Sequence, residues 1–157
     1  MTQQLRLYYG RLSTFLSLLQ SPLLLVMRLY WGWHFFMAGK GKLIKIDHVV
    51  DYFQSLNIPF PKINAVMAGS TECFGGLLLL LGLFSRIITI PLSFVMLIAY
   101  FTAERTALLN IFSDPDTFLS AAPFLFLLTT VFVMAFGPGV FSLDHLLGLN
   151  SKTDKCS

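Results

Sequence analysis

Two ionisable side chains, Arg28 and Glu72, stand inside long apolar runs of the chain, at 22–39 and 64–84. Near the middle of a membrane helix either would cost about 2.5–3.5 kcal/mol on insertion scales, so such residues are expected to face the bundle interior, where they can meet each other or a ligand. A guanidinium and a carboxylate held together in an apolar interior can orient the polar headgroup of an otherwise apolar molecule. A carboxylate so placed can also carry a proton. If the two runs are antiparallel helices rising about 1.5 Å per residue, Arg28 lies roughly 9 Å from one face and Glu72 roughly 18 Å from the same face. A long side chain, a tilt or one water spans such a gap, and the expectation is an Arg28–Glu72 pair. The structural alternative is that Arg28 snorkels to the near interface and Glu72 is a protonated hydrogen-bond donor.

Small residues surround both groups. Along the first run Arg28, Gly32, Phe35 and Gly39 recur at helical spacing and share about 60° of one helical face. Ala65, Gly69, Glu72, Gly76 and Leu79 form a matching stripe along the second. Small residues let membrane helices approach closely, so Gly32, Gly39, Gly69 and Gly76 mark the expected contact, with both charges turned inward. His34 stands level with Glu72 but points about 120° away from Arg28, where packing is a more usual role than proton transfer. Lys40 and Glu104 end the first and third runs on one face, where they can pair or stay solvated. With Tyr100, His34 and Lys40 complete the candidates for a polar cavity. Thr89, Ser93, Thr129 and Thr130 could also line it, although isolated hydroxyls in membrane helices usually bond to their own backbone.

The chain has no Walker loop, dinucleotide glycine fingerprint, bis-histidine arrangement or serine nucleophile motif. No catalytic residue is assigned, and no ligand spacing suggests a metal. Cys73 and Cys156 are too few and too far apart for a disulfide framework or a thiolate metal site.

The elements that must position these residues follow from composition. The chain has 157 residues, 55% of them hydrophobic and 12% charged, with a net charge of +3. A soluble domain carries about twice that share of charge. A water-soluble enzyme, a disordered segment and a nucleic-acid module are therefore excluded. Four runs, 22–39, 64–84, 86–103 and 118–137, approach the roughly 20 residues that a membrane helix needs. Backbone groups at that depth must be satisfied within helices. The expected fold is an all-α membrane protein, a bundle of four transmembrane helices with both termini on one side. Ser21-Pro22, Asn64, Ser85 and Asp116 or Thr117 are the expected starts, and Gly137-Pro138-Gly139 the final stop.

Segment 1–21, with Leu5, Tyr8, Leu12, Phe15 and Leu19 at helical spacing around Arg6 and Arg11, reads as an interfacial amphipathic helix and not a cleaved signal. A similar short segment in the first connection carries Val49, Tyr52, Phe53 and Leu56 on one side, with Asp47 as its cap. Residues 22–148 form the membrane domain and 149–157 a polar tail. Lysine and arginine divide evenly between the two faces, and the N-terminal flank of the first helix favours cytoplasmic termini.

Four motifs then stand in order: R-x3-G-x2-F-x3-G-K from Arg28 to Lys40, Leu56-Asn57-Ile58-Pro59, the E-x2-G-G-L-L-L-L-L-G-L-F-S-R block from Glu72 to Arg86, and G-P-G-x-F-S-L-D from Gly137 to Asp144. Over 21–148 the chain resembles the DoxX family. The resemblance implies a four-span inner-membrane protein of bacteria or archaea, in a family where some members serve quinone-linked thiosulfate oxidation or membrane oxidoreductase complexes that counter thiol stress. It marks Arg28, Lys40, Glu72, Gly75, Gly76 and Arg86 as family positions without making them catalytic.

The leading expectation is a membrane subunit in the lipid bilayer that works with a soluble redox enzyme or as a homo-oligomer, with a quinone as the cofactor it could hold. A small proton-coupled transporter using Glu72 is the second reading, and a scaffold holding soluble redox enzymes the third.

Overall fold

The computed structural model describes residues 2–139 and 141–148, and these contain helices and turns with no strand. The helices are α1 (Thr2–Ile44), α2 (Ile46–Ser55), α3 (Pro61–Leu81), α4 (Ser85–Thr102), α5 (Arg105–Leu109), α6 (Pro115–Ser120), α7 (Ala122–Phe136) and α8 (Leu143–Leu146). Among the described residues α3 and α4 are long and apolar enough to cross a membrane, while α7 is apolar but shorter. The tail 149–157, with Cys156, lies outside the described residues, as does the side-chain pattern of Leu5, Tyr8, Leu12 and Phe15.

Several boundaries differ from the sequence expectation. Ser21-Pro22 does not start a helix: α1 runs unbroken from Thr2 with Pro22 inside it. A proline in a helix interior removes one backbone bond and can be accommodated where neighbouring turns continue the ladder. Helix α3 begins three residues before Asn64, at Pro61, after Phe60 takes a left-handed conformation. The Asn64 amide instead donates to the Pro59 carbonyl at 2.6 Å. The expected fourth run is divided: Asp114 caps the short α6 through Thr117, Ala121 is extended, and α7 follows with Pro123 in its first turn. Proline is well placed there because the first-turn N–H groups have no intrahelical acceptor.

Helix α1 packs chiefly on α3, and α4 packs on α7 and α3. The α1–α3 seam depends on missing side chains. A Cβ on Gly32 would stand 2.9 Å from the Leu80 nitrogen, and one on Gly76 would stand 2.7 Å from the Phe35 Cβ. Phe35, Leu79, Leu92, Met96 and Val133 fill the core between α1, α3, α4 and α7. The outward faces are apolar as well, with Phe74, Ile87, Phe94 and Phe101 each more than half exposed. So large an apolar exterior is a lipid-facing or partner-facing surface.

The α3–α4 turn is tight. Gly82 closes α3 at a φ of 70°, its N–H reaching the Leu79 carbonyl while the Leu83 N–H reaches Leu78. A left-handed cap of this kind satisfies the last carbonyls of a helix and favours glycine.

Candidate functional site

The α1–α3 register decides where the buried charges go. Gly32 lies against Gly76 and Leu80, and Gly39 against Gly69 and Cys73. The two helices are thus antiparallel, and Glu72 stands level with roughly residue 38 of α1. Arg28, about ten residues earlier, is about 15 Å away along the axis. The expected Arg28–Glu72 pair is therefore not formed. No side chain spans that distance, and each group has found another partner.

Glu72, 1% exposed, forms an ion pair with Lys42 through Oε1. Lys42 continues the Arg28–Gly32–Phe35–Gly39 stripe by three residues, and α-helical side chains lean toward the N-terminus, so its stem reaches back into the seam. The lysine is a third exposed, while the carboxylate it meets is buried. Glu72 Oε2 is also buried and has no hydrogen-bond partner among the described residues. This site therefore joins a partly accessible ammonium to a buried carboxylate oxygen that can still accept a hydrogen bond or a proton.

Arg28 lies at the other end of the seam. Its Nη1 donates to the Pro138 carbonyl at 2.9 Å and its Nη2 to the Phe141 carbonyl at 2.8 Å. The guanidinium covers Gly82, where a Cβ would stand 2.8 Å from Cζ. Asp144 completes this closure. Its carboxylate accepts from the N–H groups of Phe84 at 2.7 Å and Ser85 at 2.9 Å, and its own N–H donates to the Gly82 carbonyl. The cap of α4 is thus Asp144, from far along the chain, and not Ser85, whose Oγ has no partner among the described residues. Residues 137–139 and 141–144 work as a clasp that returns to the α3–α4 turn and holds Arg28 against carbonyl oxygens.

Among protein families, the DoxX family model matches residues 23–105, more than half the chain. The chain belongs to the DoxX family. No curated protein and no solved structure matches it. As a DoxX protein it is a membrane protein, and the apolar exteriors of α3 and α4 fit a bilayer environment.

The other sequence candidates of this DoxX chain are dispersed. His34 does not line the interior. It is exposed on the outer side of α1, 4.6 Å from the Tyr30 ring and 5.7 Å from Trp31 between centroids, as its angular offset from the buried stripe requires. Lys40 is exposed too, one position past Gly39 and so about 100° around the helix. Tyr100 is buried, stacked on Phe118 and donating to its carbonyl at 3.1 Å. Thr89, Thr129 and Thr130 bond to carbonyls of their own helices, and Ser93 donates to Thr130 at 2.7 Å across α4 and α7. Among the described residues no cluster of His, Cys, Asp and Glu could hold a metal.

Neither Lys42 nor Asp144 is marked by the sequence as the partner of a buried group. Extending the α1 stripe by one step would have reached Lys42. Asp144 closes the G-P-G-x-F-S-L-D motif, but spacing does not reveal its partners, which are about 60 residues away.

Asp144→Asn keeps the shape but removes the charge and turns one acceptor into a donor facing backbone N–H groups. It is expected to lower stability by about 1–2 kcal/mol, measured by denaturant unfolding in detergent.

Proposed function

We propose that this DoxX protein is a four-span membrane subunit that serves an oxidoreductase partner and uses the Glu72–Lys42 pair to hold a quinone-like or sulfur-containing small molecule. In this reading the spans follow 22–39, 64–84, 86–103 and 118–137, with 1–21 at the interface and 149–157 as a polar tail. Both termini face the cytoplasm of a bacterial or archaeal cell, and the partner is a soluble redox enzyme or a second copy of the chain.

The observation that carries the reading is Glu72 Oε2, without a partner among the described residues, beside a lysine that is still partly accessible. A quinone-type headgroup fits that donor set: Lys42 can donate to a carbonyl oxygen, and Glu72 can accept from a hydroxyl. When bound, a quinone would supply the electron-transfer chemistry. This chain's residues would orient the headgroup and hold a proton at Glu72. Gly39 and Gly69 border the pair and bring α1 and α3 into direct contact beside it: a Cβ on Gly39 would stand 2.6 Å from the Gly69 carbonyl oxygen, and one on Gly69 would stand 3.0 Å from the Leu43 side chain.

The test is protein purified with its co-purifying partners and reconstituted in nanodiscs. Bound quinone and quinone-dependent turnover are each expected to fall about tenfold or more in Glu72→Gln and in Lys42→Met, with helical content unchanged. Absence of both quinone binding and quinone-dependent turnover in the wild type sinks the reading.

A second reading rests on the same carboxylate. A buried Oε2 free to take a proton also suits a small proton-coupled transporter. Proton-coupled flux in proteoliposomes that vanishes in Glu72→Gln would favour it, and flux indifferent to that substitution would remove it.

A further inference from the structure

The Arg28 end of the bundle holds more hydrogen-bond donors than acceptors. Arg28 is 1% exposed, and its Nη1 and Nη2 are taken by the Pro138 and Phe141 carbonyls while its Nε is buried and, among the described residues, unpartnered. Ser85 is fully buried at the first residue of α4, with an unpartnered Oγ. Arg86 follows it, and its Nε is likewise buried without a partner. A Cβ on Gly137 would stand 3.1 Å from Arg86 Nη2 and 3.2 Å from Nε, so the Arg86 guanidinium lies against Gly137 while that of Arg28 lies against the carbonyl of the next residue, Pro138. Asp144 is the carboxylate that meets this cluster among the described residues, and it is committed to the N–H groups of Phe84 and Ser85. Two positive charges thus face one negative charge, with three donor groups unspent.

Buried donors without acceptors are costly, and a surplus guanidinium in an apolar surround is costlier still. We propose that Arg28, Ser85 and Arg86, at the N-terminus of α4, form a binding site for a phosphate-type oxyanion. Such an ion supplies several acceptor oxygens and balances the excess charge. The site's rim is apolar: Phe84 and Phe141, whose backbones belong to the clasp, are 50% and 60% exposed. Those surroundings match the phosphodiester of an anionic lipid, while free phosphate offers the same chemistry from water. This site is separate from the Glu72–Lys42 pair and does not depend on the function proposed for it.

The test uses delipidated full-length protein in neutral detergent, titrated with phosphatidylglycerol, phosphatidylcholine and inorganic phosphate, and followed by native mass spectrometry and thermal shift. Saturable binding of one phosphatidylglycerol is expected, weakened about tenfold or more in Arg86→Gln and severalfold in Ser85→Ala, with phosphatidylcholine much weaker. Among the described residues, Ser85 Oγ and Arg86 Nε make no hydrogen bond that these substitutions would remove from the fold. Arg86→Lys, which keeps the charge without the planar fork, should fall between wild type and Arg86→Gln. Competition by inorganic phosphate extends the site to the free ion, and phosphatidylglycerol binding without such competition assigns it to lipid. No saturable binding of either probe, or binding unchanged in both Arg86→Gln and Ser85→Ala, overturns the proposal.

Discussion

Gly39→Val is expected to abolish the α1–α3 seam. A Cβ at this position would stand 2.6 Å from the Gly69 carbonyl oxygen and 2.8 Å from the Cys73 Cα, and both are backbone atoms that no rotamer change can move. The helices would have to separate along their closest contact, and the loosened seam would also draw Lys42 away from Glu72. Overpacking a core commonly costs about 1–3 kcal/mol, and a backbone clash on this scale belongs at or above the upper end of that range. The measurement is unfolding in detergent by denaturant titration, with Gly41→Val as the control. Gly41 has nothing within 4 Å of its would-be Cβ, so Gly41→Val should stay within about 0.5 kcal/mol of the wild type. Equal stability of the two variants would contradict the seam.

Arg28→Ala is expected to cost about 3–5 kcal/mol. It removes two charge-assisted bonds to the Pro138 and Phe141 carbonyls, leaves those oxygens without their donor, and opens a void over Gly82. The clasp 137–144 would lose its hold on the bundle, and with it the Asp144 cap of α4. Two readouts check this: the unfolding free energy, and cleavage within 137–144 by an added protease, which should accelerate in Arg28→Ala. Arg28→Lys should recover only part of the loss, because an ammonium is a single point donor where the planar fork reaches two carbonyls at once. Unchanged stability and protease resistance in Arg28→Ala would show that the clasp is held by other contacts.

The two charged groups show which kinds of information the chain exposes. That Arg28 and Glu72 are buried could be read from their apolar surroundings. Their partners could not. Lys42 was one stripe position beyond Gly39, yet a lysine near a span end reads as interfacial because its stem is long enough to reach water from there. The Pro138 and Phe141 carbonyls carry no side-chain signature at all, and the Asp144 cap depends on where a late loop returns. Helix ends were similarly local or distant in origin. The Gly82 stop of α3 falls inside the run expected to reach residue 84, and the N-terminus of α4 is closed by a residue about 60 positions away.

By itself the sequence determined the solvent and the local conformation: a shortage of charge demands an apolar surround, and a backbone in that surround must form helices. Periodicity then says which residues share a face, since the helical repeat is fixed by backbone geometry. Only the tertiary structure decided which faces meet and at what height. A rise of about 1.5 Å per residue turns a small shift of register into a different ion pair. The glycine contacts between α1 and α3 set that register, and they placed Glu72 beside Lys42 and Arg28 beside the clasp.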